Sequence, residues 1–246
     1  MVTDSEGLVL RQIKAANGRR MILILTKRYG KISAGTSISE GGKNKTALAL
    51  RPFTYGRYEL FKARETFSIN GAETIRSFYS IGEDVDKYMA ASYALELTDA
   101  MAPEEEPQPA LLALIRDTLG LLDERKSAFG TLLVGFQMKA LQLEGSAPQL
   151  DHCMRSGSKE DLRVLSVADG GMLCADCVPV GPSDPLLFEL TEEQLAALRY
   201  MAANPITALK GIGLSEETEK KLRRLFKAYI AYHLGIENLK SESLLI

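Results

Sequence analysis

Three cysteines and two histidines are the only thiol and imidazole groups in the chain, and their spacing limits what chemistry they can do. Cys174 and Cys177 form a C-x2-C pair behind Gly170-Gly171, and twenty residues separate Cys153 from Cys174. A four-thiolate zinc ribbon carries two such pairs roughly 15–20 residues apart, which would place its second ligand at position 156. That position holds Ser156. His152 offers a nitrogen, but adjacent residues rarely both reach one tetrahedral ion. Two readings stand: one structural zinc on Cys153, Cys174 and Cys177, or a knuckle shaped by packing alone. Neither implies an open catalytic position.

Catalysis finds little else to use. A Cys153–His nucleophile pair needs a cleft and an orienting group that the sequence does not point to. His233 falls on the apolar stripe of a helix, the ordinary place of a satisfied core histidine. Phosphate-binding glycine loops, GxSxG and HExxH are missing from the sequence. Glu104–Glu106 lie between prolines and read as solvated. The chain reads as a binding protein and not as an enzyme.

The stronger chemical signal is cationic. Arg11, Lys14, Arg19, Arg20, Lys27, Arg28, Lys31, Lys43, Lys45 and Arg51 are the candidate nucleic-acid contacts, followed by Arg57, Lys62, Arg64 and Arg76. Eight of the chain's 17 aromatics are interleaved with them: Tyr29, Phe53, Tyr55, Tyr58, Phe61, Phe67, Phe78 and Tyr79. Single-strand binders use this mixture, with cations tracking phosphates and ring faces accepting bases. The plainer reading is that most of the rings fill a core. The stretch Ser39–Thr46 reads as an exposed loop able to close over a strand, or as an ordinary hairpin tip.

The whole chain hides this. Its 246 residues carry a net charge of −2, which by itself argues against a nucleic-acid binder. Residues 1–80 hold 14 Lys+Arg against 6 Asp+Glu, and the remainder 16 against 26. A split from +8 to −10 points to a basic module that meets polyanions, carried by an acidic one. The apolar runs, such as Met21–Leu25, fall far short of the roughly 18 residues of a membrane span, so no membrane partner is expected. The opening MVTDSEG lacks the features of a secretion signal, so a cytoplasmic location is expected.

The elements that position these residues are legible in outline. Gly7–Ile13, Arg20–Thr26, Lys31–Ser37, Tyr55–Lys62 and Glu65–Ile69 read as strands separated by glycine turns. Five short strands in about 80 residues suit a small closed or partly closed barrel. From residue 82 the pattern turns helical: Glu83–Met101, with Val85, Met89, Tyr93, Leu95 and Leu97 as its stripe, then Ala110–Leu122 and Ala128–Glu144. Ala102–Pro109 is a loop, because its prolines break helices. Residues 150–180 read as irregular. Thr191 opens a helix with a capping box, and Ser215 caps a last helix that ends at Gly235. Leu209–Leu214 has the look of a phosphate-holding hairpin, although a capped loop explains the same residues. The fold class is α+β, with a barrel domain at 1–81 and a helical domain at 82–246 that contains the knuckle at 150–180.

The order of these segments resembles the RecO family of recombination mediators. The likeness runs through EGLVLRQIKAANGRRMILILTKRYGKISA, LALRPFTYGRYELFK, AASYALELTD, GFQMKALQLEGSAPQLDHC, DGGMLCADC and YHLGIENLKSESLL. It implies an OB-fold for the barrel and a zinc-finger-like knuckle. Zinc-bearing relatives carry a second cysteine where Ser156 stands, and others have lost the cysteines. The resemblance also implies binding of single- and double-stranded DNA and annealing of complementary strands. Its implied partners are RecR, the C-terminal tail of single-stranded DNA-binding protein (SSB) and, indirectly, RecA. The competing expectation is an OB-fold RNA- or ribosome-associated protein with a zinc knuckle.

Overall fold

A computed structural model describes residues 2–14, 20–38, 45–179 and 184–244. Five strands form the N-terminal barrel: β1 (Val2–Lys14), β2 (Arg20–Thr26), β3 (Gly30–Thr36), β4 (Thr54–Ala63) and β5 (Thr66–Ser77). The barrel closes in the order β1-β2-β3-β5-β4, with β4 returning to β1 and β3 meeting β5 in parallel through Ala34 and Phe67. Closure protects the sheet edges where β3 and β5 meet. This strand order, with a helix between β3 and β4, is an OB-fold, as the resemblance implied.

Alternation builds its interior. Val9, Ile22, Ile24, Ile32, Tyr58, Leu60, Phe67 and Ile69 meet in one core. The short helix α1 (Lys45–Ala49), not foreseen in the sequence, plugs the barrel. The Tyr58 hydroxyl donates to the Ala49 carbonyl (3.0 Å), and the Gln12 amide donates to the Leu50 carbonyl (2.5 Å). The β2–β3 turn is tight because Thr26 Oγ1 accepts from Tyr29 N and donates to the Gly30 carbonyl, both at 2.9 Å. Gly30 has φ +64°, and a Cβ there would strike the backbone of Glu106, so both the conformation and the space require glycine.

Two compact units are present. The first joins residues 1–124 to 239–246, so α2 (Val85–Met101) and α3 (Pro109–Glu124) belong with the barrel. The change from strands to helices thus falls close to residue 82, while the packing unit continues to residue 124. Asp84 caps α2, its carboxylate accepting from Lys87 N at 3.0 Å. Tyr93, Leu95 and Leu97 are buried, but Val85, expected on the same stripe, is 74% exposed. Pro109 is the first residue of α3, where its missing N–H costs no helical bond.

The second unit is residues 125–238. Its centre is α4 (Phe129–Leu143), apolar on nearly every face and buried over most of its length, as a central helix requires. Around it lie α5 (Glu192–Ala203), opened by the reciprocal Thr191–Gln194 box, and α6 (Glu216–Leu234), capped by Ser215 and stopped by Gly235 in the left-handed conformation. Residues 150–180 are more regular than expected. They contain β6 (Leu162–Ser166) and β7 (Gly171–Cys174), joined by β8 (Leu187–Glu189) in the order β7-β6-β8. Gly/Ser-rich flanks mask this hairpin in the sequence.

Candidate nucleic-acid interface and cysteine cluster

The candidate cations among the described residues do not form one patch. Lys31, on β3, is only 9% exposed; its ammonium donates to the Asp99 carbonyl (2.7 Å) and pairs with the Asp99 and Glu104 carboxylates. Arg20 is 8% exposed and donates to the Ile38 carbonyl. Both are therefore built into the barrel wall. Arg11 is exposed but pairs with Asp99 at 3.1 Å. Arg28 donates to Thr3 Oγ1 and lies over the Tyr29 ring. Lys27, Lys45 and Arg51 are exposed, with no acidic partner among the described residues. Arg19, Lys43 and most of the Ser39–Thr46 loop lie outside the described residues, as does the Lys14 side chain.

The aromatics divide as well. Tyr58, Phe67, Phe78 and Tyr55 are buried and Tyr29 packs against the core, so most of the rings do fill the barrel unit. Tyr79 does not; it is 67% exposed. Tyr88 on α2, which composition did not single out, is 47% exposed, and the Phe53 ring meets it edge-on at 5.7 Å. Phe53 holds φ +61°, a left-handed conformation that costs a bulky residue on the order of 1–3 kcal/mol. These three rings, with Lys45, Leu48 and Arg51, edge a groove of about 1470 Å³ within the first unit. A shallower hollow of about 400 Å³ lies by Lys27, Arg28 and Arg57, beside the acidic Asp4 and Glu6.

In the second unit, the sulfurs of Cys153, Cys174 and Cys177 all lie within 4.8 Å of one another. Thiolates at about 2.3 Å from a tetrahedral zinc stand on the order of 4 Å apart, so the three fit one ion. Cys174 ends β7, Cys177 closes the turn after it, and Cys153 comes from the loop before β6. Burial works against a charged Cys153, but the Ser156 hydroxyl and the backbone N–H groups of Cys174, Ser156 and Arg155 outweigh it. They pull the thiol down to about 5. A sulfur ringed by donors is prepared for a cation. Ser156 Oγ stands 3.4 Å from Cys174 Sγ, where a fourth thiolate would belong, and His152 is not part of the cluster. Arg155 braces the turn through a two-pronged pair with Asp169 and a bond to the Cys177 carbonyl.

The remaining sequence candidates have structural roles. His233 pairs with the Val167 carbonyl at 2.7 Å and packs on Tyr229. The Leu209–Leu214 loop is tied to α4: Leu214 N donates to Thr131 Oγ1, Arg125 donates to the Ile212 carbonyl, and Glu219 accepts from Thr131. Three glutamates in the first turn of α6 oppose a phosphate there.

Residues 1–78 match the family model for the Recombination protein O N terminal, and residues 82–243 match that for its C terminal. The chain belongs to the RecO family. It is 28% identical over 243 residues to the DNA repair protein RecO of Alkaliphilus metalliredigens, covering 98% of this chain and 97% of that one. It is 31% identical over 240 residues to the RecO of Myxococcus xanthus, covering 97% and 94%. Against the RecO of Bacillus subtilis it is 28% identical over 245 residues, with 100% and 94% covered. This RecO-family chain is a DNA repair protein by kinship, and its three cysteines are placed to hold a metal ion. Among the described residues no helix is long and apolar enough to cross a membrane.

Proposed function

We propose that this chain is a recombination mediator that binds single- and double-stranded DNA and anneals complementary strands. With RecR, it would help load RecA onto SSB-coated DNA. The observation that carries the reading is a full-length RecO match on a chain whose barrel domain bears the positive charge. The mechanism makes and breaks no covalent bond. Cations on the barrel screen the phosphates of two strands, which lowers their repulsion while base edges stay free to pair. Residues 1–81 then act as the DNA-facing domain, and the acidic residues 82–246 as the protein-facing one for RecR and the SSB tail. The working compartment is the cytoplasm, with the nucleoid as the DNA-bound location.

One structural zinc on Cys153, Cys174 and Cys177 belongs to the same reading. When bound it would supply cross-links between the loop before β6 and the end of β7, with no part in a reaction.

The test is annealing of SSB-coated complementary strands by the full chain, with and without RecR. Faster annealing than SSB-coated strands alone, responsive to RecR, is the expected result. A protein that does not bind single-stranded DNA, or binds it independently of salt, overturns the reading. Competition between matched DNA and RNA oligomers decides against or for the RNA-binding alternative.

A further inference from the structure

An OB barrel ordinarily receives oligonucleotides on the outer face of its second and third strands. Here the β2 part of that face is covered. Ile22 and Ile24 point into the barrel core, so alternation turns Leu23 and Leu25 outward, yet these are only 4% and 0% exposed. On β1, Leu8 is likewise opposite to Val9 and fully buried. Both α2 and α3 pack on β1, and Asp99 of α2 reaches across to Lys31 of β3 and Arg11 of β1. Among the described residues, the β2 part of the face that the fold usually offers is covered, and on β3 the exposed outward residue is the small Ser33.

The open concavity is on another side of the same unit. The groove runs between the turn Arg51–Thr54 and the end of β5 on one side, and Tyr79, Tyr88 and Ser92 on the other. At about 1470 Å³ it exceeds the roughly 300–1000 Å³ of an ordinary small-molecule pocket, which suits an extended polymer. Its charges are Arg11, Lys45, Arg51 and Lys240 against Glu73, Glu96 and Asp99. Two of the acids are already engaged, Asp99 by Lys31 and Arg11, Glu96 by the backbone of Lys240 and Ser241. Glu73 is the one acid left exposed, so what faces the opening is net cationic, at Lys45 and Arg51, and flat, at Tyr79 and Tyr88. That pairing recognises a polyanion whose units carry exposed ring faces.

We propose that single-stranded DNA lies in this groove, with bases stacked on Tyr79 and Tyr88 and phosphates against Lys45 and Arg51. The proposal rests on the DNA-binding reading given above, moves the strand from the barrel's usual face to the α1–β5–α2 side, and adds Tyr88 of α2 to the DNA-facing residues 1–81. The Phe53 ring, edge-on to Tyr88, holds that tyrosine in place as a positioning residue. Duplex DNA keeps its bases stacked on each other, so it gains nothing from the two tyrosines.

The experiment is anisotropy of the full-length protein with a labelled oligothymidylate and with a labelled duplex, across a salt series. Tyr79→Ala with Tyr88→Ala should weaken single-strand affinity about 5- to 150-fold per stacked base lost, with the salt slope kept and duplex affinity unchanged. Tyr79→Phe with Tyr88→Phe should restore it, because a phenyl face still stacks. Arg51→Ala should instead reduce the salt slope for both DNAs. The chain has no tryptophan, so quenching of its tyrosine fluorescence by bound oligothymidylate, lost in the double alanine variant, reports stacking directly. Circular dichroism and the melting temperature of each variant, both on exposed side chains, verify folding. Normal single-strand binding by the double alanine variant, with loss on Lys27→Ala and Arg28→Ala, overturns the groove while leaving DNA binding intact. Failure of the unaltered chain to bind either DNA overturns the DNA-binding reading itself, and the groove with it.

Discussion

The ammonium of Lys31 sits 2.7 Å from the carbonyl oxygen of Asp99 and 3.2 Å from its carboxylate, joining the third barrel strand to α2. A cation that composition counts toward DNA is thus committed to the interior of the first unit. Its neighbour across the pair, Asp99, also takes Arg11, so one carboxylate fixes two strands against α2.

Replacing Lys31 by methionine keeps the stem and removes the charge. Asp99 is then left partly buried with one cation instead of two, which costs about 2–3 kcal/mol. Urea unfolding should show that loss, while single-strand affinity per folded molecule changes less than it does for Arg51→Ala. A large affinity loss at unchanged stability would mean that Lys31 meets DNA after all.

The C-terminal segment is held by a carboxylate. Glu96 accepts from the backbone N–H of Lys240 and Ser241 and from the Ser241 hydroxyl, at 2.9, 2.8 and 2.5 Å. Burial favours the neutral acid, but these bonds and the Lys240 charge prevail and hold Glu96 below its usual 4.5. A depressed carboxylate stabilises the fold fully above its unfolded value, and the contribution fades as pH falls through the folded one. Between pH 7 and about 5 the segment should stay attached, and it should loosen progressively as pH falls below Glu96's usual range. Glu96→Ala should lose amide-exchange protection at Lys240 and Ser241 at pH 7. The melting temperature of the unaltered chain should fall more steeply below pH 4.5 than that of the variant; parallel curves would deny Glu96 this role.

For the knuckle, elemental analysis of protein purified without chelator should find about one zinc per chain, and Cys174→Ser should abolish it. Ser156→Cys completes a four-thiolate set and should raise zinc affinity more than about tenfold, on the order of 1.4 kcal/mol or more. Chelation should loosen the β6–β7 hairpin in hydrogen exchange. A metal-free chain whose β6–β7 hairpin is equally protected with and without added zinc would show that packing of Cys153, Leu173 and Cys174 suffices.

How far the sequence can be read depends on where one face of an element is buried. Strand β2 is legible to its ends because Met21–Leu25 are apolar throughout and glycine turn signals flank them in the sequence. Strand β5 continues eight residues past Ile69, through NGAETIRS, and most of this half is exposed on both faces, so no alternation marks it. A five-residue helix such as α1 carries too little periodicity to register. The cysteine triad is visible from spacing alone. The groove is not: charge and aromaticity are properties of residue types, whereas Arg20 turns inward and Tyr88 outward through backbone geometry. Composition could name the basic module but could not tell its structural cations from its free ones.

That distinction has a measurable form in the salt dependence of binding. Each phosphate neutralised on a single strand contributes about 0.7 to the slope of log affinity against log salt. Lys27, Lys45, Arg51 and Arg64 are exposed, with no acidic partner among the described residues, whereas Arg57, Lys62 and Arg76 each face a glutamate. Arg51→Ala should therefore remove about 0.7 from the slope and leave the melting temperature nearly unchanged. Arg20→Ala should do the reverse, because its guanidinium serves the Ile38 carbonyl at the edge of the barrel: a lower melting temperature and an intact slope. Two arginines of equal charge in one basic module are then separated by which observable they move. If Arg20→Ala flattens the slope at unchanged stability, the DNA path crosses the β2–β3 edge and not the tyrosine-lined groove.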